Sequence, residues 1–366
     1  MTETWGVLPL KEIPSIETQT IWHAAALTRE SFGYDNVLFI DWPDKPFVSV
    51  GYHQDPTEEI ELEYCKTKGY EHYRRACGGG QVFLDGDQIF YHMITDPENN
   101  QLKGSLKNFY SNLLAPVIQT YNDFGVPAKY APINDIVAND KKISGNGAAT
   151  LGNSRILTGN FILSFPSLEM SKVLRVPNEK FRDKVAQSLE ERVGSFESIR
   201  GSKPNPDELV AKFINNFENQ MDVKLVEVPL PSETRNKMEE LKKRYVTNEW
   251  RYEIGSKSSL LRAVKIKTNM FVSESMIKTQ GGLLKAILIS EDNKISDISL
   301  YGDISVDPMD GLDQLAKQIV GAEIYSNRLE STIADYLNSI EIPGVAPNEI
   351  VSLIQNAANS HKEASH

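Results

Sequence analysis

The chain has 366 residues, a net charge of −11, 40% hydrophobic and 24% charged residues, the composition of an ordinary globular protein long enough for two domains. The acidic balance argues against nucleic acid as the main partner, and no apolar run approaches the ~18 residues of a membrane span. Two cysteines, Cys65 and Cys77, are too few for a disulfide framework, and the six histidines are scattered without ligand spacing, so no structural metal site is expected. The N-terminus Met1-Thr2-Glu3-Thr4-Trp5 lacks a signal-peptide pattern, and a reducing cytoplasm is the expected compartment.

In chain order, residues 14–33 predict a helix. Ser15 or Thr18 can cap it, Ile16, Ile21, Ala24, Ala25 and Leu27 fall at helical spacing, and Gly33 can end it. Val37–Asp41 and Phe47–Gly51 read as strands around a turn through Pro43, Asp44 and Pro46. Residues 57–68 predict a second helix closed by Gly69. Strands Glu71–Arg75, Gln81–Asp85 and Ile89–Thr95 follow, then a long amphipathic helix Lys103–Tyr121 and short strands Lys129–Ala131 and Asp135–Ala138. Lys142 starts a further strand, and a hairpin returns along Arg155–Ser164 with Gly152 and Asn153 at its tip. Residues 167–220 read as mainly helical, and the charged helix Glu233–Tyr245 connects to a different texture. There, β-rich runs Leu260–Lys267, Leu283–Ser290 and Ile295–Tyr301 precede helices 309–319, 325–339 and 347–358.

The stretch that asks for chemistry is Arg74-Arg75-Ala76-Cys77-Gly78-Gly79-Gly80-Gln81-Val82-Phe83-Leu84-Asp85. Consecutive glycines are costly in a core and make sense where the backbone turns sharply or lies close against something. Flanking arginines suit phosphate or carboxylate. A phosphate loop and a flexible hairpin with a basic stem are both compatible with this stretch alone. Further on, Lys142-Ile143-Ser144-Gly145 and the small residues Gly147, Ala148 and Ala149 leave room for a ligand along a strand, although Lys141-Lys142 also reads as a solvated turn.

Four stretches in order carry a family resemblance. Gly51-Tyr52-His53-Gln54-Asp55, with the helix to Tyr64-Cys65, resembles the pattern GRxQN…EY of lipoate–protein ligases of the A type. Arg74 to Asp85 resembles RRxSGGGAVxHD. Asn134-Asp135-Ile136 with Lys142-Ile143-Ser144-Gly145 resembles NDI…KxSG. Leu157-Thr158-Gly159-Asn160-Phe161-Ile162-Leu163 resembles HHGTLLL. Trp250-Arg251-Tyr252, and Tyr301-Gly302-Asp303-Ile304 with Pro308, resemble elements of the ligase accessory domain, so both parts would be fused here.

The resemblance implies an α+β fold: a large domain with a mixed β-sheet flanked by helices, biotin/lipoate ligase-like and class II synthetase-like, plus a small C-terminal α+β domain. The expected division is a catalytic domain over 1–247, a linker at 248–256 and an accessory domain over 257–366. It implies ATP-dependent attachment of lipoate to a lysine of a lipoyl-domain acceptor protein through lipoyl-AMP, by a monomer that needs neither membrane nor nucleic acid. Lys142 would be catalytic, at the carboxyl–phosphate junction. Arg75, Gly78, Gly79, Gly80, Gln81, Val82, Phe83, Asn134 and Asp135 would join it around ATP, with Asp135 also on the accompanying Mg2+. Arg75, Val82, Lys142, Gly145, Ala148, Thr158 and Gly159 would hold lipoate, with Ile143 helping to line an apolar slot. Arg74, Lys141 and Lys142 are candidates for the rim that meets the acceptor.

The chain departs from the family pattern at Tyr52, Cys77, Leu84 and Leu157-Thr158, where an arginine, a serine, a histidine and the paired histidines are expected. Cys77 opens a second reading, an ATP-independent octanoyl or lipoyl transferase with a cysteine nucleophile whose pKa the neighbouring arginines lower. A third is a non-catalytic lipoate-binding protein, which the lost histidines favour and Lys142 opposes.

Overall fold

The computed structural model describes residues 2–176, 178–254 and 270–363. By its internal contacts the chain divides into two compact units. The first is Met1–Ser49, Glu59–Tyr73 and Val82–Thr247, and the second is Val50–Glu58, Arg74–Gln81 and Asn248–His366. The glycine stretch therefore clusters with the C-terminal residues, whereas the expected catalytic domain over 1–247 contains it.

The first unit is built on a mixed six-stranded sheet. Its strands are β1 (Glu3–Ile13), β2 (Val37–Pro43), β6 (Gln88–Thr95), β10 (Asn146–Leu151), β11 (Ser154–Ile162) and β12 (Val223–Glu227), in the order β10-β11-β6-β2-β1-β12. The first three pairings along that order, β10-β11, β11-β6 and β6-β2, are antiparallel, while β2-β1 and β1-β12 are parallel. Two smaller three-stranded sheets accompany it. One takes β3 (Phe47–Val50) between β4 (Glu71–Arg74) and β5 (Val82–Leu84); the other is the meander β7 (Lys129–Ala131), β8 (Asp135–Ala138) and β9 (Lys141–Ser144).

Strand alternation sorts the large sheet into two faces. Leu38, Ile40, Tyr91, Met93, Leu157 and Phe161 pack into the main core with Phe109, Leu113 and Val117 of the helix Leu106–Asp123 and Phe213 and Phe217 of the helix Pro206–Met221. Tyr91, Phe161 and Phe213 meet pairwise at centroid distances of 5.3, 5.6 and 5.1 Å. The other face is covered by the helix Ser15–Leu27, which packs on β2 and β6 and against the helix Ser232–Tyr245.

Most expected elements are present, with informative exceptions. β1 is not announced by the sequence because Gly6 and Pro9 interrupt it. The register shifts between Pro9 and Lys11, and Lys11 has φ of 61°, so the proline sits at a bulge where no ladder bond is lost. β12 is a short edge strand that begins after Asp222 at φ of 51°. The helix expected over 14–33 ends at Leu27 and continues as a 3-10 turn, Arg29–Phe32, to Gly33 at φ of 72°. The helix expected over 57–68 is split into Pro56–Glu59 and Leu62–Lys68, because Ile60 leaves the helix to bridge Leu174.

The second unit holds an antiparallel meander of β13 (Met270–Thr279), β14 (Gly282–Glu291) and β15 (Lys294–Asp303). Helices Gly311–Ile319, Asn327–Leu337 and Pro347–Glu363 pack on it around Leu284, Leu288, Leu300, Leu315, Ile333 and Ile354. The expected strand Leu260–Lys267 lies outside the described residues. No helix among the described residues is long and apolar enough to cross a membrane.

The aromatic contact at Phe161 tests the main core. Phe161→Ala should lower the unfolding free energy by about 3–5 kcal/mol, read by denaturant titration followed through tryptophan fluorescence. A loss below ~1 kcal/mol would mean that the site collapses around the deletion and is not tightly packed.

Candidate active site

Lys142 lies on β9, and its backbone is held from two sides. Val137 of β8 pairs with it, and on the other side it bridges Val193 and accepts the Gly194 N–H at 2.8 Å. Its ammonium stands 2.6 Å from Asp135 Oδ1, an ion pair by distance although off the line of a hydrogen bond. The two side chains are 41% and 35% exposed, so a ligand can reach them. Lys141 points elsewhere and donates to the Glu190 carbonyl at 2.8 Å.

A buried polar network fixes the turn that follows. The Tyr91 hydroxyl donates to Asn146 Oδ1 at 2.5 Å, and Asn146 Nδ2 donates to the Asn134 carbonyl at 2.9 Å. Asn134 Nδ2 returns a bond to the Asn146 carbonyl. Ser144 Oγ donates to the Asn160 carbonyl at 2.7 Å, and Asn160 Oδ1 accepts the Gly145 N–H at 3.0 Å. Asn160 Nδ2 donates to Gln88 Oε1, and Gln88 Nε2 to the Phe83 carbonyl. Tyr91, Asn146, Asn160 and Gln88 were not singled out from the sequence. Asparagine inside a strand is the signal that could have found two of them, since it disfavours strands unless its amide is used.

The residues expected around lipoate divide. Gly145 leaves room for a Cβ, which would make ordinary contact with Lys142 Cε at 3.7 Å and Asn160 Oδ1 at 3.9 Å. Thr158 is partly open and its Oγ1 lies 2.7 Å from His92 Nδ1. Gly159 is already filled: a Cβ there would come within 2.1 Å of Asn146 Oδ1. Ala148 and Ile143 belong to the main core and Phe83 is buried, while Val82 is 38% exposed.

The glycine loop, within the second unit, is held by its own neighbours. Arg75 Nη2 donates to the Gly78 and Gly80 carbonyls at 2.7 and 2.8 Å, so the guanidinium staples the loop from inside. The Gly79 N–H donates to the Ile304 carbonyl at 3.0 Å, with Gly79 at φ of 89°. A Cβ on Gly78 would stand 2.3 Å from that same carbonyl, and one on Gly80 3.1 Å from Asp303 Oδ1. Gln81 Oε1 accepts from Gln54 Nε2 at 2.8 Å. Arg74, expected at an exposed rim, is fully buried. It lies over the Tyr52 and Trp250 rings at 4.5 and 4.4 Å, donates to the Trp250 and Tyr52 carbonyls at 2.7 and 2.8 Å, and pairs with Glu253.

Cys77 is buried, and burial pushes its thiol pKa up, only partly opposed by the nearby Arg75 charge. This corrects the expectation of a lowered pKa. Cys65 is also buried, its thiol pushed up to about 11 by the same cause. Among the described residues no group of three or more His, Cys, Asp or Glu could hold a metal ion. A single carboxylate such as Asp135 suits a Mg2+ that arrives with phosphate and keeps most of its ligands from it and from water.

A family model described as the lipoyl protein ligase A/B catalytic domain matches residues 22–218. The lipoate-protein ligase A subunit 1 of Thermoplasma acidophilum is 26% identical over 245 residues, covering 61% of this chain and 91% of that protein. The octanoyltransferase LipM of Kyrpidia tusciae is 22% identical over 231 residues, covering 57% and 84%. Three solved structures share the fold. The bi-partite lipoate protein ligase of T. acidophilum, studied with its E2 lipoyl domain, has a TM-score of 0.61 at 24% identity, covering 69% of this chain and 97% of that one. A lipoate-protein ligase A bound with ATP has a TM-score of 0.57 at 22% identity, covering 69% and 100%. P. falciparum LipL1 in complex with lipoate has a TM-score of 0.68 at 15% identity and covers 96% and 99%, the C-terminal region included. With the family match spanning more than half of its length, the chain belongs to the lipoyl protein ligase A/B catalytic domain family.

Proposed function

We propose that the protein attaches lipoate to a lysine of a lipoyl-domain acceptor in two steps through lipoyl-AMP. The observation that carries this reading is Lys142, an accessible ammonium held on β9 beside Asp135 in the NDI…KxSG pattern. Relatives named as lipoate ligases, neighbours solved with ATP and with lipoate, and a neighbour studied together with its E2 lipoyl domain support it.

In the first step a lipoate carboxylate oxygen attacks the α-phosphorus of ATP, the bond to the β-phosphate oxygen breaks and pyrophosphate leaves. In the second, the acceptor lysine amine attacks the acyl carbon, AMP leaves with the bonding pair, and the amine proton is lost to water. Little covalent work falls to the enzyme: two anions must be held together while charge builds on phosphate oxygens. Lys142 is a mobile point charge suited to that task, and Asp135 keeps its ammonium in place until an anion takes over. Magnesium arriving with ATP would supply further neutralisation, and Asp135 would be the carboxylate to share it.

The relative named as an octanoyltransferase motivates the competing reading, acyl transfer from a thioester donor through a cysteine. The chain has two cysteines, and both are buried with raised thiol pKa values, so neither offers a thiolate near neutral pH. That favours activation by ATP.

Lipoate-dependent pyrophosphate release from ATP, without acceptor, is the deciding assay. Wild type should release pyrophosphate and retain lipoyl-AMP, and Lys142→Leu should slow release by about 10²–10³-fold. Transfer of an octanoyl group from a thioester donor, with no pyrophosphate released from ATP, would overturn the ligase reading.

The cysteines give a separate check. At pH 8 both should react with a thiol reagent at least ~100-fold more slowly than free cysteine, and Cys77→Ser should keep pyrophosphate release within about twofold of wild type. Rapid labelling of Cys77 with loss of activity would return the transferase to the front.

A further inference from the structure

The strand that carries Lys142 is irregular. β9 pairs with β8 through Lys141 opposite Ala138 and Lys142 opposite Val137, but the next pair is Ser144 opposite Ile136. Ile143 is thus an extra residue with no partner on β8, a β-bulge. Side chains alternate along a regular strand, so without the bulge Lys142 and Ser144 would share a face. With it they part. Lys142 lies on the face of β8 that also bears Val137 and Asp135, and its ammonium reaches Asp135 Oδ1 at 2.6 Å. Ser144 lies opposite the buried Ile136, and its hydroxyl turns inward to the Asn160 carbonyl. One inserted residue therefore leaves a cation open to ligand two positions from a hydroxyl tied into the interior.

A bulge disrupts the ladder, and a buried carbonyl left outside the ladder needs a donor. Ile143 is fully buried, and its carbonyl accepts from the Tyr121 hydroxyl at 2.5 Å. Tyr121 stands on the helix Leu106–Asp123, 22 residues away in sequence, and no motif of the chain includes it. The same hydroxyl accepts the Ile162 N–H at the end of β11 at 3.1 Å, so it is used as donor and as acceptor. The Phe196 ring stacks on the tyrosine at 4.6 Å and 19°, and Phe161 meets it at 5.2 Å, which fixes where the hydroxyl can be. Burial pushes its pKa well above the usual tyrosine value, so the hydroxyl stays a donor near neutral pH.

We propose that Tyr121 is a positioning residue for Lys142: its hydroxyl holds the bulge at Ile143, and the bulge aims the ammonium outward beside Asp135. Tyr121 touches neither substrate; it acts through the backbone next to the lysine. This inference rests on the reading of Lys142 as the ammonium that acts on lipoate and ATP.

The test uses the full chain. Tyr121→Phe keeps the ring and removes the hydroxyl. It should lower kcat for lipoate-dependent pyrophosphate release by about 10–100-fold, with the KM for ATP and for lipoate within about threefold of wild type. In a Lys142→Leu background the same change should cost less than about twofold, because the lysine through which it acts is gone. Val117→Ala, one turn earlier on the same helix, removes core volume but not the anchor and should keep kcat within about twofold. Equal losses from Tyr121→Phe in both backgrounds, or an equal loss in Val117→Ala, would overturn the proposal, since general loosening of the core would then be the cause. Two readouts need no activity. Acylation of Lys142 by an amine reagent, read by mass spectrometry against the exposed Lys224, should slow at least ~threefold in Tyr121→Phe as the side chain loses its aim; an unchanged rate would overturn the proposal. Tyrosine-labelled NMR of the wild type should show the Tyr121 hydroxyl proton protected from exchange with water, and rapid exchange would overturn it whether or not the variant folds. A wild type that releases no pyrophosphate would sink the ligase reading alone, because the labelling would still decide whether Tyr121 holds Lys142 in place.

Discussion

Two asparagines inside a β-hairpin set the terms for the first unit. Asn146 and Asn160 are buried on adjacent strands, where an unpaired amide costs about 1–3 kcal/mol. Each is used at both ends of its amide: Asn146 between the Tyr91 hydroxyl and the Asn134 carbonyl, Asn160 between the Gly145 N–H and Gln88. The network ties the small meander that carries Asp135 and Lys142 to the middle of the large sheet. It also explains Gly159, because Asn146 Oδ1 occupies the space that any side chain there would need. The ammonium of Lys142 can be mobile because the strand beneath it is not.

The glycine loop obeys a different constraint. Its three consecutive glycines answer to different demands: a Cβ on Gly78 would meet the Ile304 carbonyl, Gly79 has φ of 89°, and a Cβ on Gly80 would crowd the Asp303 carboxylate, while the Gly79 carbonyl in turn lies 1.8 Å from where a Cβ on Gly51 would be. Arginine serves the same end twice. Arg75 spans the loop carbonyls, and Arg74 is clamped between Tyr52 and Trp250 with its fork filled by two carbonyls and Glu253. A buried guanidinium so fully paired is a structural post, and cutting it would strand several acceptors at once. The Gly79 amide is likewise already satisfied by Ile304, so the loop is a folded object before any ligand is considered.

What could be read from the chain and what could not follow the range of the interactions. The helix end marked by Gly69, the hairpin tip at Gly152 and the strand that begins near Lys142 depend on neighbours a few residues away, and they stand where expected. Asp135 and Lys142 lie seven residues apart on adjoining strands of one meander, and a contiguous motif exposes them. The partners of Tyr91 and His92 are 53 to 66 residues distant, and those of Arg74 up to 179, so only register and tertiary packing bring them together. For the same reason Arg74 read as an exposed cation, and Ala148 and Ile143 as lining a ligand slot. Their neighbours, not their residue types, decide that the first is buried and the others are core. β1 failed to announce itself because it lies inside the sheet, paired in parallel on both sides, and Pro9 is absorbed by a bulge that pattern alone cannot foresee.

The pairing of Lys142 with Asp135 then bears on how an anion is admitted. Were the pair fully buried, removing the lysine from its partner would cost several kcal/mol and the site would resist its ligand. Because both side chains are more than one-third exposed, the pair is worth about 0–1 kcal/mol. A phosphate oxygen can therefore take the ammonium at little cost, and the exchange leaves Asp135 with an uncompensated charge. A carboxylate in that state would favour a second cation, which a nucleotide carrying magnesium would bring if the protein acts as proposed. Under the proposed reading, lysine and aspartate would form a pair that a metal-bound anion divides at little cost. The asparagine network beneath Gly145 holds the strand that carries Lys142 and the turn that leads to Asp135.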